Sequence, residues 1–157
     1  MKEILTTLLL VVEGGRVLLA QKKRGWREGI YNGVGGKVEQ GEDIERAMIR
    51  ETQEEIGITP TKYEKVCYSE FIVYFKGEWA KLICHKYIAT KYSGEPIESD
   101  EMRPEWFDFD KIPYDNMWTD DIYWLPRVLL GEKLKCYFTF DEDNKIVSHK
   151  VERVESL

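Results

Sequence analysis

The chain offers little for chemistry at cysteine or histidine. Its 157 residues include only three cysteines, Cys67, Cys84 and Cys136, and two histidines, His85 and His149. An odd number of widely spaced cysteines forms neither a disulfide framework nor a zinc pattern. The three are expected to be small buried side chains with free thiols. The histidines stand far apart with no paired nucleophile motif, which sets triad catalysis aside. No stretch approaches the roughly 18 apolar residues needed to span a bilayer. The opening Met1-Lys2-Glu3-Ile4-Leu5-Thr6-Thr7 has too short an apolar run, and an acid in the wrong place, for a signal peptide. A cytoplasmic protein with no membrane partner is therefore expected. A basic excess is also missing, since the formal net charge is −6. Polymeric DNA or RNA is thus not the expected partner. A small polyanion, held by bridging cations and a local basic patch, stays open.

What is present reads as one globular unit. Hydrophobic residues make up 43% and charged residues 33%, a composition suited to a packed core. The length fits a single domain over 1–157, and no linker or repeat interrupts it. Residues 7–12 and 17–20 are apolar runs on either side of Glu13-Gly14-Gly15, which predicts a hairpin. A glycine-rich stretch, Asn32-Gly33-Val34-Gly35-Gly36, predicts backbone that bends tightly or approaches a ligand. Residues 43–56 predict a helix with Asp43 as its N-cap and Gly57 as its stop. Ile44, Met48, Thr52 and Ile56 form its core stripe. Two long strands are expected near 65–75 and 79–90, then a polar loop over 95–104 and a short strand at 106–109. A helix capped by Asp120 or Asp121 and a final hairpin over 135–140 and 145–154 complete the order. The fold class expected is α+β, an α/β/α sandwich with a mixed β-sheet flanked by helices.

The predicted helix carries the chemistry. Glu51, Glu54 and Glu55 stand at i, i+3 and i+4, so three carboxylates share one face. Like charges so placed disfavour a helix by a few tenths of a kcal/mol per pair unless they are neutralised. An isolated triplet of this kind reads most simply as a solvated acidic face. A divalent cation is the alternative, because magnesium takes oxygen ligands from a few carboxylates and substrate phosphates. Arg50 can pair with and orient one of the acids.

The surrounding spacing favours the cation. Gly36, five residues, Glu42, seven residues and then Arg50-Glu51-Thr52-Gln53-Glu54-Glu55-Ile56-Gly57-Ile58 resembles the Nudix box at every charged and glycine position. Thr52 departs from it, standing where the family usually has an aliphatic residue. The resemblance implies the Nudix fold and hydrolysis of a nucleoside diphosphate linked to another moiety. It implies a magnesium cofactor, with manganese as a substitute, bound by Glu51, Glu54 and Glu55 and perhaps the carbonyl of Gly36. It also leaves Glu54 or Glu51, in that order, as the base that activates water. Lys22, Lys23 and Arg24 are candidates to hold phosphate.

Beyond the box, the chain resembles one branch of the family, the animal-type oxidised purine nucleoside triphosphatases. The likeness is carried by Lys22-Lys23-Arg24-Gly25, Asn32-Gly33, Glu98-Ser99-Asp100-Glu101-Met102-Arg103-Pro104 and Met117-Trp118-Thr119-Asp120-Asp121. It implies cleavage of a purine triphosphate to the monophosphate and pyrophosphate by a monomeric enzyme. Glu101 becomes a further metal-site acid, and Thr7, Trp26 and Phe71 become pocket residues. Leu82 falls near the pocket too, though core packing explains it more simply. Trp118 has a flat face for purine stacking, and Asn32 offers a donor and an acceptor to a base edge. Asp120 and Asp121, if buried together, should have one apparent pKa raised, and a protonated carboxyl donates where an ionised one accepts. Alone, the pair reads more simply as an N-cap and a first-turn acid. Other Nudix substrates (a nucleotide sugar, a dinucleoside polyphosphate, an RNA 5′ end) stay open as alternatives, as does a non-catalytic nucleotide-binding module.

Overall fold

The structure is a computed structural model describing residues 1–157. Its backbone is one nine-stranded mixed sheet with a helix on each face. In chain order the elements are β1 (Lys2–Glu13), β2 (Arg16–Lys22), β3 (Tyr31–Asn32), β4 (Val34–Lys37), α1 (Ile44–Ile56), β5 (Thr59–Phe75), β6 (Glu78–Ser93), β7 (Met102–Asp108), α2 (Asp121–Leu129), β8 (Lys133–Phe140) and β9 (Ile146–Val154). The strands run β3-β2-β1-β6-β5-β8-β9, with β4 added to β1 and β7 to β2. β1 pairs parallel with β6, and β5 pairs parallel with β8. The remaining pairs are antiparallel.

Two cores explain why the first strands read as unbroken apolar runs. Leu8 and Leu10 of β1 face one way, into a cluster with Trp124, Leu125 and Val128 of α2. Leu9 and Val11 face the other way, into a cluster with Met48 and Ile56 of α1. A strand covered on both faces has no polar side to alternate with. The result is the expected three-layer sandwich, and no helix in it is long and apolar enough to cross a membrane.

Helix α1 begins and ends where its sequence directs. The Asp43 carboxylate accepts from the Arg46 N–H at 3.3 Å, and Gly57, at φ 73°, donates its N–H to the Gln53 carbonyl. Thr52 is fully buried in the core stripe, and its hydroxyl donates to the Met48 carbonyl at 2.8 Å. That internal bond lets a polar residue occupy an aliphatic position cheaply.

Three expectations need correction. β5 and β6 extend past 65–75 and 79–90, because polar ends such as Thr59 and Ser93 still pair. The loop expected over 95–104 ends early. β7 starts at Met102 and pairs with β2 along its whole length, placing Pro104 opposite Ala20. β7 has no other neighbour, and an outer strand tolerates a missing N–H. Finally, Asp120 precedes α2 but makes no side-chain capping bond. Its carboxylate is used elsewhere.

Candidate functional site

Between α2 and the sheet lies a cavity of ≈ 260 Å³. Eight of the residues expected to touch substrate line it: Thr7 from β1, Lys22 from β2, Trp26 in the following loop, Asn32 from β3, Phe71 from β5, Trp118 and Asp120 ahead of α2, and Asp121 at its start. Leu82 also lines the cavity, so core packing alone does not account for it.

The aromatic wall is built around Trp118. Its ring centroid is 5.0 Å from that of Trp26, and the Arg27 guanidinium lies over its face at 4.6 Å. Arg27 holds a left-handed backbone, φ 63°, which is uncommon for a residue with a side chain. Its Nε is buried without a partner. The Asn32 Oδ1 accepts from the Gly33 N–H at 2.9 Å, which leaves the amide NH₂ for a ligand.

Another part of the lining is polar and deeply buried. Asp120 and Asp121 are 4% and 3% exposed, a degree of burial that acids rarely reach without a purpose. The Asp120 carboxylate accepts from the Trp124 indole N–H at 2.9 Å. Burial drives both carboxyls above the usual carboxylate range, Asp121 further because the Asp120 charge adds to it. The Asp121 Oδ2 and the Thr7 Oγ1 are buried with no hydrogen-bond partner. Such orphans are rare in folded proteins and suit atoms that await a ligand.

Gly36 joins this cavity to α1. It lines the cavity, and a methyl group built on it would lie 2.5 Å from the Glu51 carboxyl carbon. Gly36→Ala is therefore expected to push the Glu51 carboxylate aside and cut turnover about 10–100-fold, the range found when a ligand's support is lost. The melting temperature should change little. Rate and melting curve measured on one preparation would check both.

Arg50 organises the acids of α1. It holds Glu42 with two bonds, 2.7 Å from Nε and 2.9 Å from Nη2, and donates to Glu51 at 3.0 Å and Glu54 at 3.3 Å. The Glu42 carboxyl drops to about 2 through the Arg50 bond. Glu51 is raised by burial, against the pull of Arg50. Glu55 is pushed up to about 8 by burial, with the Glu51 charge adding to it. The Glu55 Oε2 is a third buried oxygen without a partner. No three acids stand together as a ready coordination cluster, since Glu54 is drawn outward, 60% exposed, to Arg50. Glu101 pairs with Arg24 at 3.4 Å, yet its charge is felt at both Glu51 and Glu55. An oxygen-only set with an unsatisfied buried carboxylate suits a hard divalent cation.

The basic segment divides. Lys22 lines the cavity, whereas Lys23 binds Glu98 and the Ser99 carbonyl, and Arg24 turns to Glu101. Sequence reasoning also passed over several cavity residues, among them Arg27, Trp124 and Lys86. Lys86 had a signal, because it shares its strand face with Leu82 and Cys84, where a core-facing position ought to be apolar.

A carboxylate helix beside an aromatic-walled cavity fits a nucleotide-processing hydrolase. The chain belongs to the Nudix family, whose NUDIX domain model matches residues 3–128. It is 50% identical over 153 residues to the oxidized purine nucleoside triphosphate hydrolase of Danio rerio, covering 98% of this chain and 97% of that one. The Mus musculus protein of the same name is 41% identical with the same coverage. Among solved structures, a MutT protein of Bacillus halodurans superposes with a TM-score of 0.80 at 28% identity, covering 95% of this chain and 97% of that one. Family membership makes the protein a hydrolase acting on small nucleotide substrates.

Proposed function

We propose that the protein hydrolyses oxidised purine nucleoside triphosphates, of the 8-oxo-dGTP and 2-hydroxy-dATP type, to nucleoside monophosphate and pyrophosphate. It would thereby remove damaged precursors before they enter DNA. The observation that carries this reading is the buried Asp120–Asp121 pair in a cavity that reaches Gly36, which lies against Glu51 of α1.

The base stacks on Trp118, an interaction worth about 1–3 kcal/mol by analogy with other base-stacking sites. Trp26 and Phe71 close the sides. Asn32, Thr7, Asp120 and Asp121 meet the base edge, and Asn32, Thr7 and Asp121 each bring hydrogen-bonding capacity the protein leaves unused. A base that fails to match leaves those buried groups unpaired, which costs about 1–3 kcal/mol each. Lys22 offsets phosphate charge at the near end.

Glu51, Glu54, Glu55 and Glu101, with the Gly36 carbonyl, would hold magnesium, or manganese in its place. When bound, the ion would draw electron density from the phosphoryl oxygens and offset the charge that develops on the leaving group. Glu55 gives up its proton for this, since a ligating carboxylate must be ionised. Glu54, the most exposed of Glu51, Glu54 and Glu55, takes the proton from water as its oxygen bonds to phosphorus and the anhydride bond between the monophosphate and pyrophosphate parts breaks. The whole chain, 1–157, works as one domain and as a monomer. Its net charge of −6 gives no help toward a nucleic-acid polymer.

Hydrolysis of 8-oxo-dGTP, 2-hydroxy-dATP and dGTP in parallel, with identification of the products, tests this reading. The oxidised nucleotides should be cleaved at least tenfold faster than dGTP, the discrimination one unpaired buried group can supply. Equal rates on all three would remove the sanitising role and leave a general Nudix hydrolase.

A further inference from the structure

Behind the aspartates the cavity wall hides a lysine. Lys86 lies mid-sheet on β6, level with Leu8 of β1 and Cys67 of β5, and is 2% exposed. Its ammonium donates to the Ser69 hydroxyl at 2.7 Å and sits over two rings, Phe71 at 4.8 Å and Trp124 at 4.2 Å. The titratable groups facing it are Cys67, Cys84, Cys136 and Asp120, with Asp121 just beyond. A charge so deeply buried is costly, and an apolar residue of similar volume would ordinarily serve the fold as well or better. Something other than packing therefore accounts for it.

The geometry supplies the connection. A cation over an indole face polarises the ring and strengthens its N–H as a donor. The Trp124 N–H is the group that donates to Asp120. We propose that Lys86 is a specificity-determining positioning residue: through Trp124 it keeps a negative charge on Asp120, so the wall offers an acceptor to purines that present N–H donors. The inference rests on the base-edge reading of Asp120 and Asp121. In support, the Lys86 charge opposes burial at both acids. Without it both carboxyls hold protons, and a guanine-type edge with ring and exocyclic N–H groups meets donors where it needs an acceptor.

Lys86→Met removes the charge, keeps most of the volume and is expected to fold. Calorimetric binding of 8-oxo-dGMP, without metal, should weaken about tenfold, the scale of one desolvated cation–π contact. KM for 8-oxo-dGTP should rise by the same factor while kcat holds. Titrations in two buffers of different ionisation enthalpy should show extra proton release on binding by the variant. Trp124→Phe, which deletes the N–H, should weaken binding similarly, and the double variant should be no worse than the poorer single one. Unchanged binding in Lys86→Met, or losses that multiply in the double variant, would overturn the relay. Should Asp120→Asn and Asp121→Asn also leave 8-oxo-dGMP binding unchanged, the base-edge reading itself falls.

Discussion

Glu54→Gln is expected to lower kcat by on the order of 10³-fold, within the range that a positioned general base contributes. Glu54 is 60% exposed, and its contact to protein is the Arg50 bond at 3.3 Å. It is therefore free to swing toward a water molecule, and its loss should barely affect folding. Glu51 differs, being only 17% exposed in its side chain and packed against Gly36. Glu51→Gln should weaken magnesium binding, which shows as a higher half-saturating concentration and a partial recovery of rate at high metal. Steady-state pyrophosphate release across a magnesium titration, beside a melting curve, separates the two roles. A Glu54→Gln rate restored by excess magnesium, with a Glu51→Gln rate that is not, would exchange their assignments.

The sequence made α1 legible because every local signal there agreed. Asp43, the core stripe and Gly57 each specify the helix through nearby atoms, and the structure has them in those roles. The pocket residues were legible only through resemblance, since Thr7, Asn32, Phe71 and Trp118 are brought together by strand order. No local pattern encodes that order, which places β1 beside β6 and β5 beside β8. Asp120 shows the limit most clearly. An acid at the start of a helix is read as a cap, but Trp124, one turn later, supplies a better donor in a buried setting. Lys86 escaped for a similar reason. A lone lysine reads as a solvated residue even on the face it shares with Leu82 and Cys84, and only pairing with β1 and β5 puts it in the sheet centre.

Asp121→Asn should move stability and activity in opposite directions. The carboxyl of Asp121 is raised well above its ordinary range by burial and by the Asp120 charge. Folded protein thus binds a proton there that the unfolded chain has already released. Stability then falls as pH climbs from the unfolded value, about 3.9, toward the folded one, because the native state binds more protons throughout that window. Asparagine cannot ionise, so the variant escapes this loss. It should melt higher than the parent at neutral pH and close to it near pH 4, about where the unfolded acid titrates. Catalysis should suffer, because the amide cannot exchange the roles of donor and acceptor and cannot share a proton with Asp120. The kcat/KM for 8-oxo-dGTP should drop about 10–100-fold, the worth of one hydrogen bond to a charged or charge-sharing group. Asp120→Asn should cost at least as much, since it also weakens the bond from Trp124. Melting scans at the two pH values, with kinetics on 8-oxo-dGTP and 2-hydroxy-dATP, check each part. If both variants turned over both nucleotides at the parent rate, the buried acids would have no part in reading the base, and their burial would be a structural cost without return.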